Sequence, residues 1–136
     1  MSLLMLNARV PEMIGQQREK IWKMLFSSSI RGKRVTIVGT GDMGSPASRA
    51  IRQFGAVTTG VRTRAVPHPD FDRTIAVDDI DQVLPTSDFL LLAAPLTDAT
   101  RGLIDRRRLG LLPQGAGVVN IGRGEIGKST RLNSSH

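Results

Sequence analysis

Six consecutive residues constrain this chain more than any others: Gly39-Thr40-Gly41-Asp42-Met43-Gly44. Directly before them, Arg34-Val-Thr-Ile-Val38 is a β-branched run that reads as a strand. Directly after, residues 47–54 read as a helix, with Ala47, Ala50, Ile51 and Phe54 on one face. Gly55 follows, where glycine closes helices, and residues 56–61 read as a second strand. In that setting each glycine has a use. Gly39 lets the chain turn sharply, Gly41 lets a pyrophosphate approach the backbone, and Gly44 lets helix and strand pack closely. Amides near Asp42 and Met43 then face the phosphates at the positive helix end. The spacing therefore points to a bound dinucleotide.

The remaining chain continues the alternation. Leu3, Leu4 and Leu6 suggest the last turns of an apolar helix. Pro11 opens another, and Met13, Ile14, Ile21, Met24 and Leu25 extend its apolar spacing until Ser27. Residues 74–77 form a short third strand, and Asp78 caps a helix over residues 79–84. Residues 89–93, Phe-Leu-Leu-Leu-Ala, are apolar at every position, as a strand covered on both faces must be. Asp105 caps a helix reaching Leu112, and residues 117–121 form a last apolar strand. The fold class is α/β: a Rossmann-like, doubly wound parallel sheet, incomplete and truncated at both ends. Residues 1–10 read as the remnant of an interdomain helix and 11–125 as a partial dinucleotide-binding domain. Residues 126–136 are polar and basic without an apolar face, and read as an artefactual, unstructured tail.

The second strand should end in an acidic residue if the adenosine ribose carries a free 2′-hydroxyl. Val61 stands at that place, followed by Arg62, Thr63 and Arg64, and no Asp or Glu occurs from Met43 to Pro69. Guanidinium forks suit a 2′-phosphate, so NADP(H) is favoured over NAD(H).

Bulk properties close off other classes. The net charge of +7 invites a nucleic-acid partner, but the basic residues are scattered and aromatics make up 4% with no Tyr. No stacking platform forms, and no nucleic-acid binding is expected. No apolar run approaches the ~20 residues of a membrane span. Cysteine is absent, which removes disulfides and thiolate ligands; no metal site is expected and the address is cytoplasmic.

Three further segments narrow the reading: Leu84-Pro-Thr-Ser-Asp88 with Ala93-Ala-Pro-Leu-Thr-Asp-Ala-Thr-Arg-Gly-Leu-Ile104, then Gly115-Ala-Gly-Val-Val-Asn-Ile-Gly-Arg-Gly124, and Ile30-Arg-Gly-Lys33 upstream. With the glycine motif these resemble the D-isomer-specific 2-hydroxyacid dehydrogenases, including glyoxylate/hydroxypyruvate reductases. The resemblance implies that residues 40–43 line the pyrophosphate. It implies that Ala94 and Pro95 border the adenosine side of the cleft, that Thr100 is another cofactor contact, and that Ile121 and Gly122 pass the nicotinamide ribose. Arg123 matches the family's substrate-anchoring arginine, a planar fork that holds a carboxylate by two hydrogen bonds.

The partners so implied are a nicotinamide dinucleotide and a small 2-oxo/2-hydroxy acid, in a full-length homodimer. The family's catalytic histidine and its glutamate lie downstream of the arginine motif. The chain has only His68, in a loop, and His136, while Glu125 comes too early to match. The expected function is thus the cofactor-binding domain of an oxidoreductase, inactive as this fragment. The alternative is a non-catalytic nicotinamide-binding regulatory module.

Overall fold

The structure, a computed structural model, describes residues 1–122. Five strands form one sheet: β1 (Arg34–Val38), β2 (Val57–Arg62), β3 (Arg73–Ala76), β4 (Phe89–Leu92) and β5 (Gly117–Asn120). Their order is β3-β2-β1-β4-β5 and every pairing is parallel. The chain runs outward from β1 in one direction, then returns to its other side. That reversal opens a crevice beyond the carboxyl ends of the central strands.

The expected strands are all present because their sequences suit a sheet with apolar cover on both faces. Every residue of β4 is buried, and Val35, Thr36, Ile37 and Val38 of β1 are buried too. One core layer joins Val38, Val61, Leu90 and Leu92 to Ile80, Leu84 and Ile104. The other joins Val35, Ile37, Phe89 and Leu91 to Ile51, Ala56, Phe71 and Leu3. At the amino edge, Asp88 fastens two strands: its carboxylate accepts from the Arg34 amide at 2.8 Å and its carbonyl from the Gly117 amide at 3.0 Å.

Helix α3 (Gly44–Gln53) follows the glycine motif and covers the second layer. Its buried line is Gly44, Ser48 and Ile51, while Ala50 and Phe54, assigned to the buried face from spacing, are exposed. The reason is polar. Ser48 turns inward to donate to the Asp70 carbonyl at 2.6 Å and to bond the Thr58 hydroxyl at 2.8 Å. Helix α5 (Arg106–Leu111) is capped as expected, the Asp105 carboxylate accepting from the Arg108 amide at 2.9 Å.

Two other expectations need correction. Helix α1 (Ser2–Asn7) buries Leu3, but α2 (Val10–Arg18) buries no residue and stops seven residues short of Leu25. Lys20 takes a positive φ of 56°, and Ile21, Trp22 and Met24 are exposed, Trp22 at 99%. With no surface under its apolar stripe, a helix has little beyond propensity to extend it. The single helix expected over residues 79–84 is instead a 3₁₀ turn (Val77–Asp79), α4 (Ile80–Val83) and a second 3₁₀ turn (Leu84–Thr86). Asp78 makes no cap there. Pro85, which lacks an amide hydrogen, explains the early stop.

Candidate functional site

The carboxyl ends of β1, β2, β4 and β5 bring together most residues singled out from sequence. Gly39 leaves β1 with φ of 100° and donates its amide to the Val61 carbonyl at 2.9 Å. A Cβ on Gly39 would stand 2.7 Å from both Cα and N of Ala94, so the turn and the end of β4 touch backbone to backbone. A Cβ on Gly44 would overlap the Gly39 carbonyl, which is how the helix starts so close to the strand. Gly41 differs. A Cβ there would meet nothing within 4 Å, leaving the space above the turn open.

That combination is what a dinucleotide's diphosphate requires: two glycines that close the backbone on itself, and one that leaves room. Helix α3 begins at this turn with Met43 as its N-cap and no side chain satisfying its first-turn amides. Those N–H groups and the helix dipole favour an anion at that end. Asp42 and Met43 are exposed at the rim, and the Thr40 methyl lies over β2, where a Cβ on Gly60 would meet it at 2.8 Å. Gly60 was not singled out from sequence; its signal is an unexplained glycine inside a strand.

At its carboxyl end β2 runs one residue beyond Val61, the position at which an acidic residue is expected from sequence. Val61 is 1% exposed and belongs to the core, paired with Val38 and Ile75. Arg62 is the last strand residue and is half-buried, with Thr63 and Arg64 exposed beyond it. One Arg62 Nη1 hydrogen goes to the Val66 carbonyl at 3.3 Å. The loop that follows is pinned to α3. Asp70 accepts from Ser45 and from Arg49 Nη1, the latter at 2.8 Å, and Arg52 pairs with Asp72 at 3.2 Å. The Ser45 hydroxyl, and after it Arg49, holds the Asp70 carboxyl below the usual carboxylate range. His68 belongs to this loop, its Nδ1 accepting from the Asp70 amide and its ring edge-on to Phe71.

On the other side of the crevice, Ala94 is buried against the glycine turn and Pro95 is exposed. The Thr100 hydroxyl donates to the Pro95 carbonyl at 2.7 Å and accepts from the Thr97 amide at 2.8 Å. Its side chain thus shapes the loop after β4. Ile121 and Gly122 both donate their amides to the Leu92 carbonyl, at 2.9 and 3.0 Å, which holds the end of β5 beside that of β4. Arg123 and residues 126–136 lie outside the described residues. A cleft of about 560 Å³ lies at the amino ends of the strands, near Lys33, Asp88 and Gly115, and contains none of these residues.

Comparison with known proteins identifies the family and the fold. The family described as D-isomer specific 2-hydroxyacid dehydrogenase, NAD binding domain, matches residues 1–135. D-3-phosphoglycerate dehydrogenase of Mycobacterium tuberculosis (strain ATCC 25618 / H37Rv) is 31% identical over 126 residues, 91% of this chain and 24% of that protein. Among solved structures, phosphoglycerate dehydrogenase from Lactobacillus plantarum superposes with a TM-score of 0.88 at 27% identity, over 96% of this chain and 43% of that one. A D-isomer specific 2-hydroxyacid dehydrogenase from Xanthobacter autotrophicus Py2, in complex with NADPH and MES, gives 0.81 at 26% identity, over 93% and 52%. The chain spans under a third of the length of the curated relatives it matches.

Proposed function

The chain belongs to the D-isomer specific 2-hydroxyacid dehydrogenase family, as its NAD binding domain, and we propose that it holds NADP(H) in preference to NAD(H) for exchange with a small 2-oxo/2-hydroxy acid. The observation that carries the reading is Gly41, open above a turn that Gly39 and Gly44 close tightly at the start of α3. When bound, the nicotinamide supplies or takes up the hydride. The residues of this chain bind and orient. Amides near Asp42 and Met43 hold the diphosphate, Ala94 and Pro95 border the adenosine side of the crevice, and Thr100, whose hydroxyl donates to the Pro95 carbonyl, is a further cofactor contact. The backbone of Ile121 and Gly122 borders the nicotinamide end.

Arg123 is the proposed anchor for the substrate carboxylate, fixing the reacting carbon near the hydride donor. Arg62 and Arg64 are the proposed partners of the 2′-phosphate, supported by an arginine where the strand ends and no acidic residue beside it. The full-length protein is proposed to be a cytoplasmic homodimer. Among the described residues no helix is long and apolar enough to cross a membrane.

Titration of the 136-residue chain with NADPH and with NADH, followed by the fluorescence of the reduced nicotinamide, tests the reading. Tighter binding of NADPH is expected, with Arg62→Ala weakening it roughly tenfold or more, the size of a lost charged hydrogen bond. Tighter binding of NADH would overturn the cofactor preference. Failure to bind either at millimolar concentration would overturn the assignment of residues 39–44.

A further inference from the structure

We infer that Thr74, on the neighbouring strand β3, is a positioning residue for cofactor selectivity: it orients Arg62 through the carbonyl of Val66. The inference rests on the proposal that Arg62 meets a 2′-phosphate. Its geometry is independent of that proposal. The Thr74 hydroxyl donates to the Val66 carbonyl at 2.9 Å, and the same oxygen accepts from Arg62 Nη1 at 3.3 Å. The Val66 amide in turn donates to the Arg64 carbonyl at 2.8 Å. Both sides of one residue, Val66, are thereby tied to the two arginines, and Thr74 joins that residue to the sheet.

The register explains why Thr74 can do this. In the β2–β3 ladder Thr74 is opposite Gly60, and Gly60 and Arg62 are two apart on β2. Side chains two apart share a face, so Thr74 and Arg62 rise from the same side of the sheet. Gly60 contributes no side chain between them. A free arginine samples many rotamers, and that freedom is lost when it grips a phosphate. A guanidinium already tethered by one hydrogen loses less, and retains about four of its five N–H donors for the ligand. Val66 is an exposed loop residue, so its carbonyl needs an anchor of its own, and Thr74 is that anchor.

The test is the ratio of NADH to NADPH dissociation constants in the 136-residue chain. Thr74→Val should lower the ratio roughly three- to tenfold, the range of one hydrogen bond. Thr74→Ser, which keeps the hydroxyl, should restore most of it. In an Arg62→Ala background Thr74→Val should have no further effect on the ratio, since the two act in series. Melting curves by circular dichroism establish that each variant is folded, and Thr74→Ala serves if the valine variant is not.

If Thr74→Val weakens both cofactors equally, the residue is merely structural and the inference fails. If Arg62→Ala collapses the ratio while Thr74→Val leaves it intact, the inference fails and the cofactor reading stands. If the unmodified chain shows no preference for NADPH, the cofactor reading fails and the inference falls with it.

Discussion

A methyl group placed on Gly44 would collide with the carbonyl oxygen of Gly39, whose carbonyl carbon would stand 2.9 Å away. Helix α3 and strand β1 are therefore as close at that point as backbone allows. The obstacle to a side chain is backbone, which cannot swing aside as the end of a flexible side chain can.

Gly44→Ala should consequently damage both fold and binding. We expect a loss of about 1–3 kcal/mol in stability, typical of forced overpacking, and no measurable NADPH binding. Gly41→Ala should separate the two. Its added methyl meets no protein atom within 4 Å, so the melting temperature should hold while NADPH affinity falls. Denaturant melts alongside cofactor titrations of the two variants check this. An unaltered affinity in Gly41→Ala would contradict the placement of the diphosphate.

The end of β2 offers a contrast between neighbours. Val61→Asp puts a carboxylate into the core with no partner and should cost at least about 3 kcal/mol. Arg62→Asp, at the strand end, should fold and shift preference from NADPH toward NADH. If Val61→Asp folds normally and acquires NADH preference instead, the proposed role of Arg62 at the strand end is wrong.

Ser48 is 0% exposed and joins α3 to both β2 and the loop before β3. Ser48→Ala strands the Asp70 carbonyl and takes one partner from Thr58. A loss of about 1–3 kcal/mol is expected from urea unfolding, the penalty for a buried polar group without its partner. Thr58 retains the Asp72 carboxylate at 3.3 Å, which favours the lower half of that range.

Acid should loosen the α4–α5 contact before the core. Hydrogen bonds from Arg107, then Arg108, hold the Asp81 carboxyl below its ordinary range. The Arg108 amide does the same for Asp105. In the unfolded chain these groups titrate near about 3.9. A carboxyl depressed on folding contributes stability above that value and loses it as pH falls through the folded pKa. The difference in stability between the parent chain and Asp81→Asn should therefore be constant near neutral pH and close at lower pH. Added salt should narrow it as well, because the arginine pairs reach solvent. Equilibrium unfolding at pH 7 and at pH 3, each at low and at high salt, checks both.

What could be read from sequence follows the range of the forces involved. Strands β1 and β4 were legible because burial on both faces demands unbroken apolar or β-branched runs. The glycine turn was legible because its steric demands fall within six residues. The Asp105 cap is likewise local. By contrast, the inward turn of Ser48 depends on Asp70, 22 residues away, and no spacing rule announces it. The position of Arg62 turned on where β2 ends, which a count of residues misses by one. Helix α2 was overextended because Ile21 and Met24 keep helical spacing while having no surface to pack upon. Thr74 is legible only as a strand residue, since its link to Arg62 passes through a loop carbonyl that carries no side-chain signature.

The exposure of Trp22 also decides how this protein must be watched. It is the chain's one indole, and water surrounds it in the native state as it does in the denatured one. Intrinsic emission will therefore barely change in wavelength across a transition that dismantles the whole sheet. A flat emission trace during heating would describe the chromophore's surroundings and say nothing about whether the strands still hold together.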